Sequence, residues 1–196
     1  CQSSGAHGGG IYSYYSDFLT IQNVHFYDTH TGFMNCYGNN IEISNSTFDR
    51  GSVTSYYAGM YIYGGYKHVV RDNVVTTFNV GINIYYDTYG SYYYNNYVHN
   101  NTGNGMYMYY SSSTSYPTDP VRIVKNRFVD NNNGLYRGDS SSSYGRYVDL
   151  RDNLLKSNSN YGVYCSYYCQ DWKVENNTFD GDEDTTYGWY TYRYSY

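Results

Sequence analysis

Apolar residues return along this chain in short alternating runs, and a glycine opens each block of them. The openings read Gly10-Ile-Tyr-Ser-Tyr, Gly32-Phe-Met-Asn-Cys, Gly59-Met-Tyr-Ile-Tyr, Gly81-Ile-Asn-Ile-Tyr, Gly105-Met-Tyr-Met-Tyr, Gly134-Leu-Tyr-Arg-Gly, Gly162-Val-Tyr-Cys-Ser and Gly188-Trp-Tyr-Thr-Tyr. Successive glycines stand 22, 27, 22, 24, 29, 28 and 26 residues apart, a mean of about 25 that matches one turn of a solenoid per repeat. A second marker follows in each block: an apolar pair flanking one polar residue, then Asn or Asp, then another apolar residue. It is clearest in Ile21-Gln-Asn-Val-His-Phe26, Ile43-Ser-Asn-Ser-Thr-Phe48, Val70-Arg-Asp-Asn-Val-Val75, Ile123-Val-Lys-Asn-Arg-Phe128, Leu150-Arg-Asp-Asn-Leu-Leu155 and Val174-Glu-Asn-Asn-Thr-Phe179, with Tyr93 to Val98 a weaker copy.

Strand alternation then assigns directions. The residue after each glycine (Ile11, Phe33, Met60, Ile82, Met106, Leu135, Val163, Trp189) is apolar in every block and is expected to face inward. A second strand sends Leu19 and Ile21, Ile41 and Ile43, Val121 and Ile123, Val148 and Leu150, and Trp172 and Val174 inward, and a third contributes Phe26, Phe48, Val75, Val98, Phe128, Leu155 and Phe179. Three short strands per turn predict a triangular coil around a thin apolar core. Charges agree with this register: Arg122, Asp149 and Lys173 fall at one position of consecutive turns, Arg151 and Glu175 at another, and Lys125 beside Asp152 at a third. Each such pair contributes ~0.2–1 kcal/mol, enough to penalise a slipped register.

The column Asn73, Asn96, Asn126, Asn153, Asn177 is expected to mark a turn, because Asn tolerates unusual turn backbone and its amide bonds to the copies above and below. Together these motifs resemble the right-handed parallel β-helix, or pectate-lyase-like, repeat family. The resemblance runs from Gly10 to the last residues. It implies an all-β chain: a single right-handed parallel β-helix solenoid of about seven to eight coils, three short strands per coil, with residues 1–9 as an approach segment and 10–196 as coils. For activity it is unspecific, since the fold hosts lyases, hydrolases, tail-spikes and adhesins alike.

Composition adds a surface. Of 196 residues 33 are Tyr, and eleven of the sixteen outward positions of the first strands are Tyr. The ligand-contact residues expected from this are Tyr12, Tyr14, Tyr61, Tyr63, Tyr85, Tyr107, Tyr109, Tyr136 and Tyr164. Two long insertions, residues 110–120 and 139–147, would wall this face and add Tyr116 and Tyr144. An aromatic patch larger than a few hundred Å² signals contact with another surface, and sugar rings, apolar on their faces and polar at their edges, suit stacked phenols. The net charge of -5 with 12 Lys and Arg argues against nucleic acid, which demands a basic face. No apolar run approaches the ~20 residues of a membrane span, and few Lys, many Ser, Asn and Thr and two prolines point to a secreted or cell-surface protein.

Four cysteines allow three pairings. Cys36 and Cys165, five turns apart, would be separated by roughly 24 Å at the ~4.8 Å strand spacing, beyond the ~7 Å limit of a disulfide. Cys165–Cys169 and Cys1–Cys36 are the expected bridges, with a lipid-modified Cys1 as the alternative. His68 takes an apolar slot and reads as a core histidine, and the histidines share no metal-ligand spacing. No cofactor is expected; Asp180, Asp182 and Asp184 form an acidic turn that could hold calcium, but they lack an EF-hand's glycine and distal glutamate. Arg137-Gly-Asp spells an integrin-type tripeptide starting at an inward position, and Asn45, Asn100 and Asn176 begin glycosylation sequons.

Outward positions of the first strands carry no charge, which argues against hydrolysis by a carboxylate pair. The function expected is therefore an extracellular structural or adhesive solenoid. Its partners are a polysaccharide or further copies of itself, joined laterally or end to end into a filament. The alternative is a polysaccharide lyase or glycoside hydrolase with Asp119, Asp139, Arg137 and Arg146 in the cleft.

Overall fold

A computed structural model of the chain describes residues 9–51, 57–86, 89–109, 119–138, 147–166, 169, 171–181 and 187–191. These residues form 22 strands. The chain passes through three parallel sheets in rotation, so neighbours within a sheet come from successive turns. The first sheet has eight strands, from Gly9–Tyr14 to Tyr187–Thr191, and the second and third have seven each. This is seven complete coils and the first strand of an eighth: the expected right-handed parallel β-helix with three short strands per coil.

Register is in phase with the sequence repeat. Met60 pairs with Ile82, Ile82 with Met106, Met106 with Leu135 and Leu135 with Val163 on the first sheet. Val70, Tyr93 and Ile123 align on the second, and Phe48, Val75, Val98 and Phe128 on the third. All of these side chains are buried, and each contributes roughly 1.5–3 kcal/mol by leaving water. Tyr93 is the one tyrosine among the fully buried large side chains of the described residues, and its inward slot explains why that block reads as a weaker copy. The last coil departs from expectation: Val174 is 41% and Phe179 38% exposed. They point as predicted, but no second-sheet or third-sheet strand lies beyond theirs among the described residues.

The repeating glycine has a steric cause. A Cβ on Gly134 would stand 2.6 Å from the carbonyl oxygen of Gly162 and 3.0 Å from Leu155, and one on Gly105 would stand 2.7 Å from the carbonyl oxygen of Gly134. At this corner the first sheet closes onto the third, and only a hydrogen fits.

Asparagine forms the opposite corner. The Asn96 backbone N–H and side-chain amide both donate to Oδ1 of Asn126, at 3.0 and 2.9 Å. Asn126 repeats this onto Asn153 at 2.9 and 3.1 Å, and Asn153 onto Asn177 at 3.0 and 2.9 Å. Each amide also donates back to a carbonyl of the preceding coil, as Asn126 does to Tyr93 at 2.9 Å. Left-handed backbone at this turn belongs to the residue before each asparagine: Asp72, Asn95, Lys125, Asp152 and Asn176 have φ between 51° and 58°. That residue makes the bend, and the asparagine after it fills the corner. A second ladder, absent from the sequence reading, joins Asn101, Asn131 and Asn158 between the third and first sheets.

The charge columns hold their register, with Arg122 opposite Asp149 and Asp149 opposite Lys173. Several ion pairs form along a strand or its turn instead: Arg151–Asp149 at 2.6 Å, Lys173–Glu175 at 3.0 Å and Arg122–Asp119 at 3.2 Å. His68 is buried with Nδ1 3.4 Å from the Ile41 N–H and Nε2 3.3 Å from the Gly64 carbonyl, a satisfied core histidine. Cys165 and Cys169 are bonded with Cα atoms 6.3 Å apart. Cys36 is also disulfide-bonded; Cys1, its expected partner, lies outside the described residues.

Candidate functional site

Because the residue after each glycine faces the core, the next residue faces out, and on the first sheet that residue is usually tyrosine. Adjacent coils bring these rings to stacking distance. Tyr107 lies 5.5 Å from Tyr136 with planes 10° apart, Tyr136 4.6 Å from Tyr164 at 10°, and Tyr164 5.5 Å from Tyr190 at 13°. The second outward column stacks Tyr63 on Tyr85 at 5.1 Å and Tyr85 on Tyr109 at 4.4 Å, the latter only 2° from parallel. Tyr107 and Tyr109, in one strand, link the two columns at 6.4 Å. Where the second column stops, Gly138 stands: a Cβ there would meet Tyr136 at 2.5 Å and the Tyr107 hydroxyl at 2.9 Å, and the Tyr107 hydroxyl instead donates to the Gly138 carbonyl at 3.2 Å.

Of the residues expected on this face, Tyr12 and Tyr14 are exposed, while Tyr61, Tyr63, Tyr85, Tyr107, Tyr109, Tyr136 and Tyr164 are half-buried by their neighbours. Tyr116 and Tyr144 lie outside the described residues, as does most of both insertions. Cys36 and Ser166, at the fourth position after their glycines, which alternation turns outward, are buried; Cys36 is disulfide-bonded, and the Ser166 hydroxyl donates to the Arg137 carbonyl at 2.8 Å. The structure adds tyrosines from the following turn. Tyr15, Tyr37 and Tyr86 adopt left-handed backbone with φ of 50°, 60° and 69°, and Tyr37 meets Tyr15 at 5.3 Å and Tyr63 at 5.2 Å. Their recurrence directly after the strand was the available signal.

The face is uncharged. No described outward residue of the first sheet is ionisable other than through a phenol, and several of those phenols hold their proton beyond the ordinary range. Burial pushes the Tyr61 hydroxyl up to about 12. Burial likewise raises Tyr85 and Tyr136, while Tyr37 is raised first by its hydrogen bond with Tyr63. The result is a strip of stacking platforms edged by neutral hydroxyls.

Of the four residues of the catalytic alternative, two are described. Arg137 is fully buried, because it occupies the third, inward position of its strand beside Met108 and Cys165; neither substrate nor an integrin can reach its guanidinium. Asp119 pairs with Arg122 at 3.2 Å, and Asp139 and Arg146 lie outside the described residues. Of the acidic turn, Asp180 pairs with Lys156 at 2.9 Å, and Asp182 and Asp184 are outside the described residues. The sequon residues Asn45, Asn100 and Asn176 are exposed.

The sequence reading overlooked a polar group on the third sheet. Arg127 lies 4.8 Å from the Tyr97 ring centre, and Tyr97 stacks on His99 at 4.2 Å. His99 Nδ1 faces the Asn100 amide at 3.0 Å and the Thr76 hydroxyl at 3.5 Å. Burial holds the imidazole below its ordinary value, against the upward pull of Asp130 and Asp49 and with a further downward push from Arg127. Among the described residues no three His, Cys, Asp or Glu side chains converge as metal ligands, and no helix is long and apolar enough to cross a membrane.

Solved structures that share the coil include a single and a double mutant of the periplasmic alginate epimerase AlgG. The first is 17% identical with a TM-score of 0.62 over 81% of this chain and 34% of that one. The second is 16% identical with a TM-score of 0.63 over 83% of this chain and 36% of that one. The chain thus spans about a third of the length of these relatives, and the likeness is one of fold. No curated protein matches the sequence. The profile of the right-handed β-helix region matches residues 4–179, from before the first coil to the last strand of the third sheet, and the chain belongs to that family.

Proposed function

We propose that the chain is an extracytoplasmic glycan-contact module whose tyrosine face lies along a polysaccharide strand. The observation that carries this reading is the ladder of parallel rings from Tyr107 to Tyr190, spaced 4.6 to 5.5 Å apart with no charge between them. Sugar rings stack on such platforms and exchange hydrogen bonds with hydroxyls at the rim. Fold similarity to an enzyme named for alginate supports a polysaccharide partner, and that enzyme's periplasmic location, with the Cys165–Cys169 bridge, supports an oxidising compartment. A chain of net charge -5, with an uncharged contact face, favours neutral glycans over polyanionic ones.

The test is affinity electrophoresis and calorimetry against a panel of neutral and uronate polysaccharides, comparing the parent with a Tyr136→Ala/Tyr164→Ala variant. Retardation by a neutral glycan that the double variant loses is the expected result. Absence of binding across the panel rejects the reading. Sedimentation of the same samples measures self-association: a concentration-dependent oligomer or filament abolished by the double variant would put a second copy of the chain in the glycan's place.

A second reading rests on the Arg127–Tyr97–His99 group. A largely neutral imidazole beside a guanidinium is the equipment for removing a proton next to a carboxylate, as acid–base chemistry on a uronate requires. His99→Ala would then abolish release of unsaturated ends, or solvent deuterium uptake, from a uronate polymer; a parent protein inert in both assays rejects it.

A further inference from the structure

The tyrosines also form a continuous path for a different chemistry. From Tyr15 the rings run to Tyr37, Tyr63, Tyr85 and Tyr109 at successive distances of 5.3, 5.2, 5.1 and 4.4 Å. Hydroxyls along it are hydrogen-bonded to one another: Tyr37 with Tyr63, and Tyr85 with Tyr109. A phenol loses an electron readily only if its proton leaves at the same time. A phenoxyl radical can take both from a hydrogen-bonded phenol in ring contact, so a radical formed on one ring is passed on by hydrogen-atom exchange. Tyr15 is 62% exposed, which gives a diffusing oxidant an entry at one end, and the half-buried rings lie inward of it.

We infer that the closely stacked pairs Tyr85–Tyr109 and Tyr136–Tyr164 are sites of oxidative coupling, at which a one-electron oxidant converts neighbouring coils into a dityrosine-stapled unit. The two stacks are 4.4 Å apart at 2° and 4.6 Å apart at 10°, so the two rings of each pair are held close and parallel. In each pair both phenols give up one electron and one proton. The two phenoxyl radicals join ortho carbon to ortho carbon, and the hydrogen displaced from each of those carbons returns to its own oxygen. The net change is two tyrosines to one dityrosine with two electrons and two protons released to the oxidant. Because the paired residues occupy the same face of adjacent strands, the new bond ties coil to coil. It requires only that two half-buried surface rings tilt toward each other. This inference is independent of whether a glycan binds.

The comparison ring is Tyr27, on the third sheet, which is 59% exposed and whose ring meets His25 at 6.0 Å rather than another tyrosine. If exposure alone governed oxidation, Tyr27 and Tyr15 would react first and would couple between molecules.

The full chain is illuminated at low concentration with tris(bipyridine)ruthenium(II) and persulfate, which generates the one-electron oxidant. It is then cleaved before aspartate, which places Tyr85, Tyr109, Tyr136 and Tyr164 in four separate peptides. The expected result is a monomeric product on a denaturing gel, with dityrosine fluorescence. Its cross-linked peptides, two hydrogens lighter than their sum, should join Tyr85 to Tyr109 and Tyr136 to Tyr164. Tyr109→Phe should remove the first cross-link and leave the second, and Tyr164→Phe the reverse; both keep the ring and its packing. Cross-links that map to Tyr27, or that grow with protein concentration, would overturn the inference. So would a dityrosine yield that neither variant lowers, or none in the parent.

Discussion

Replacing Asn126 by alanine isolates what the asparagine ladder contributes. Asn126 is 1% exposed, and its Oδ1 accepts from both the backbone N–H and the side-chain amide of Asn96, at 3.0 and 2.9 Å. Alanine leaves those two donors buried with no acceptor, while the Asn126 backbone N–H keeps Asn153 Oδ1 at 2.9 Å. An orphaned buried donor costs about 1–3 kcal/mol, so two of them put the loss near ~4 kcal/mol, a large share of the ~5–15 kcal/mol that holds a domain together. Asn177 supplies the control. It accepts the same two bonds from Asn153 at 3.0 and 2.9 Å, but it is only half-buried in the last coil and water can take its place. Asn177→Ala therefore loses only the net value of two hydrogen bonds, about 1–3 kcal/mol together. Urea unfolding followed by tryptophan fluorescence, compared at constant slope, measures both. Equal losses for the two variants would refute the idea that burial gives the ladder its strength.

The corner glycines give a second pair: a Cβ on Gly134 stands 2.6 Å from a backbone oxygen, but one on Gly188 comes no nearer than 3.3 Å to any atom of Phe179. Gly134→Ala should lower stability by about 1–3 kcal/mol as an overpacked site and Gly188→Ala by much less, read as thermal midpoints. His99 is held below its ordinary value, so the unfolded chain takes up its proton first. Stability from this group is complete above about 6.5 and is lost as pH falls through the lower folded value. An imidazole titration by NMR should show the depressed midpoint, moving further down in Asp130→Asn, whose charge opposes the shift. Tyr61 has the opposite sign, because the folded state keeps its proton up to about 12 while the unfolded chain releases it near ~10. Stability should fall as pH rises through that interval, and Tyr61→Phe should lessen the fall, with tyrosinate absorbance as the monitor.

Much of the coil is legible in the residues, and its omissions have causes. Period-two alternation placed Phe33, Met60, Ile82 and Leu135 inside, and it placed Arg137 inside too, which is why that arginine serves no cleft. Charge registers were readable, but ion partners were not: Asp149 can reach along its own strand to Arg151 as easily as across to the next coil, and side-chain rotamers choose between them. The Asn101–Asn131–Asn158 ladder stayed hidden because the preceding coil places Phe78 at that corner, so the column is short and broken. His99, Tyr97 and Arg127 come from two adjacent turns, 28 positions separating His99 from Arg127, and no local motif joins them.

By itself the sequence determined the period, the inward face and the presence of a tyrosine surface, because each depends on spacing along a strand and on the steric demand at one corner. Tertiary structure alone decided which tyrosines touch. Contact depends on where a column is interrupted, as at Asn83 and Gly138, and on the turns that carry Tyr15 and Tyr37 back beside it. Those ring distances exist only once the coils are stacked, and both the glycan reading and the oxidative one rest on them.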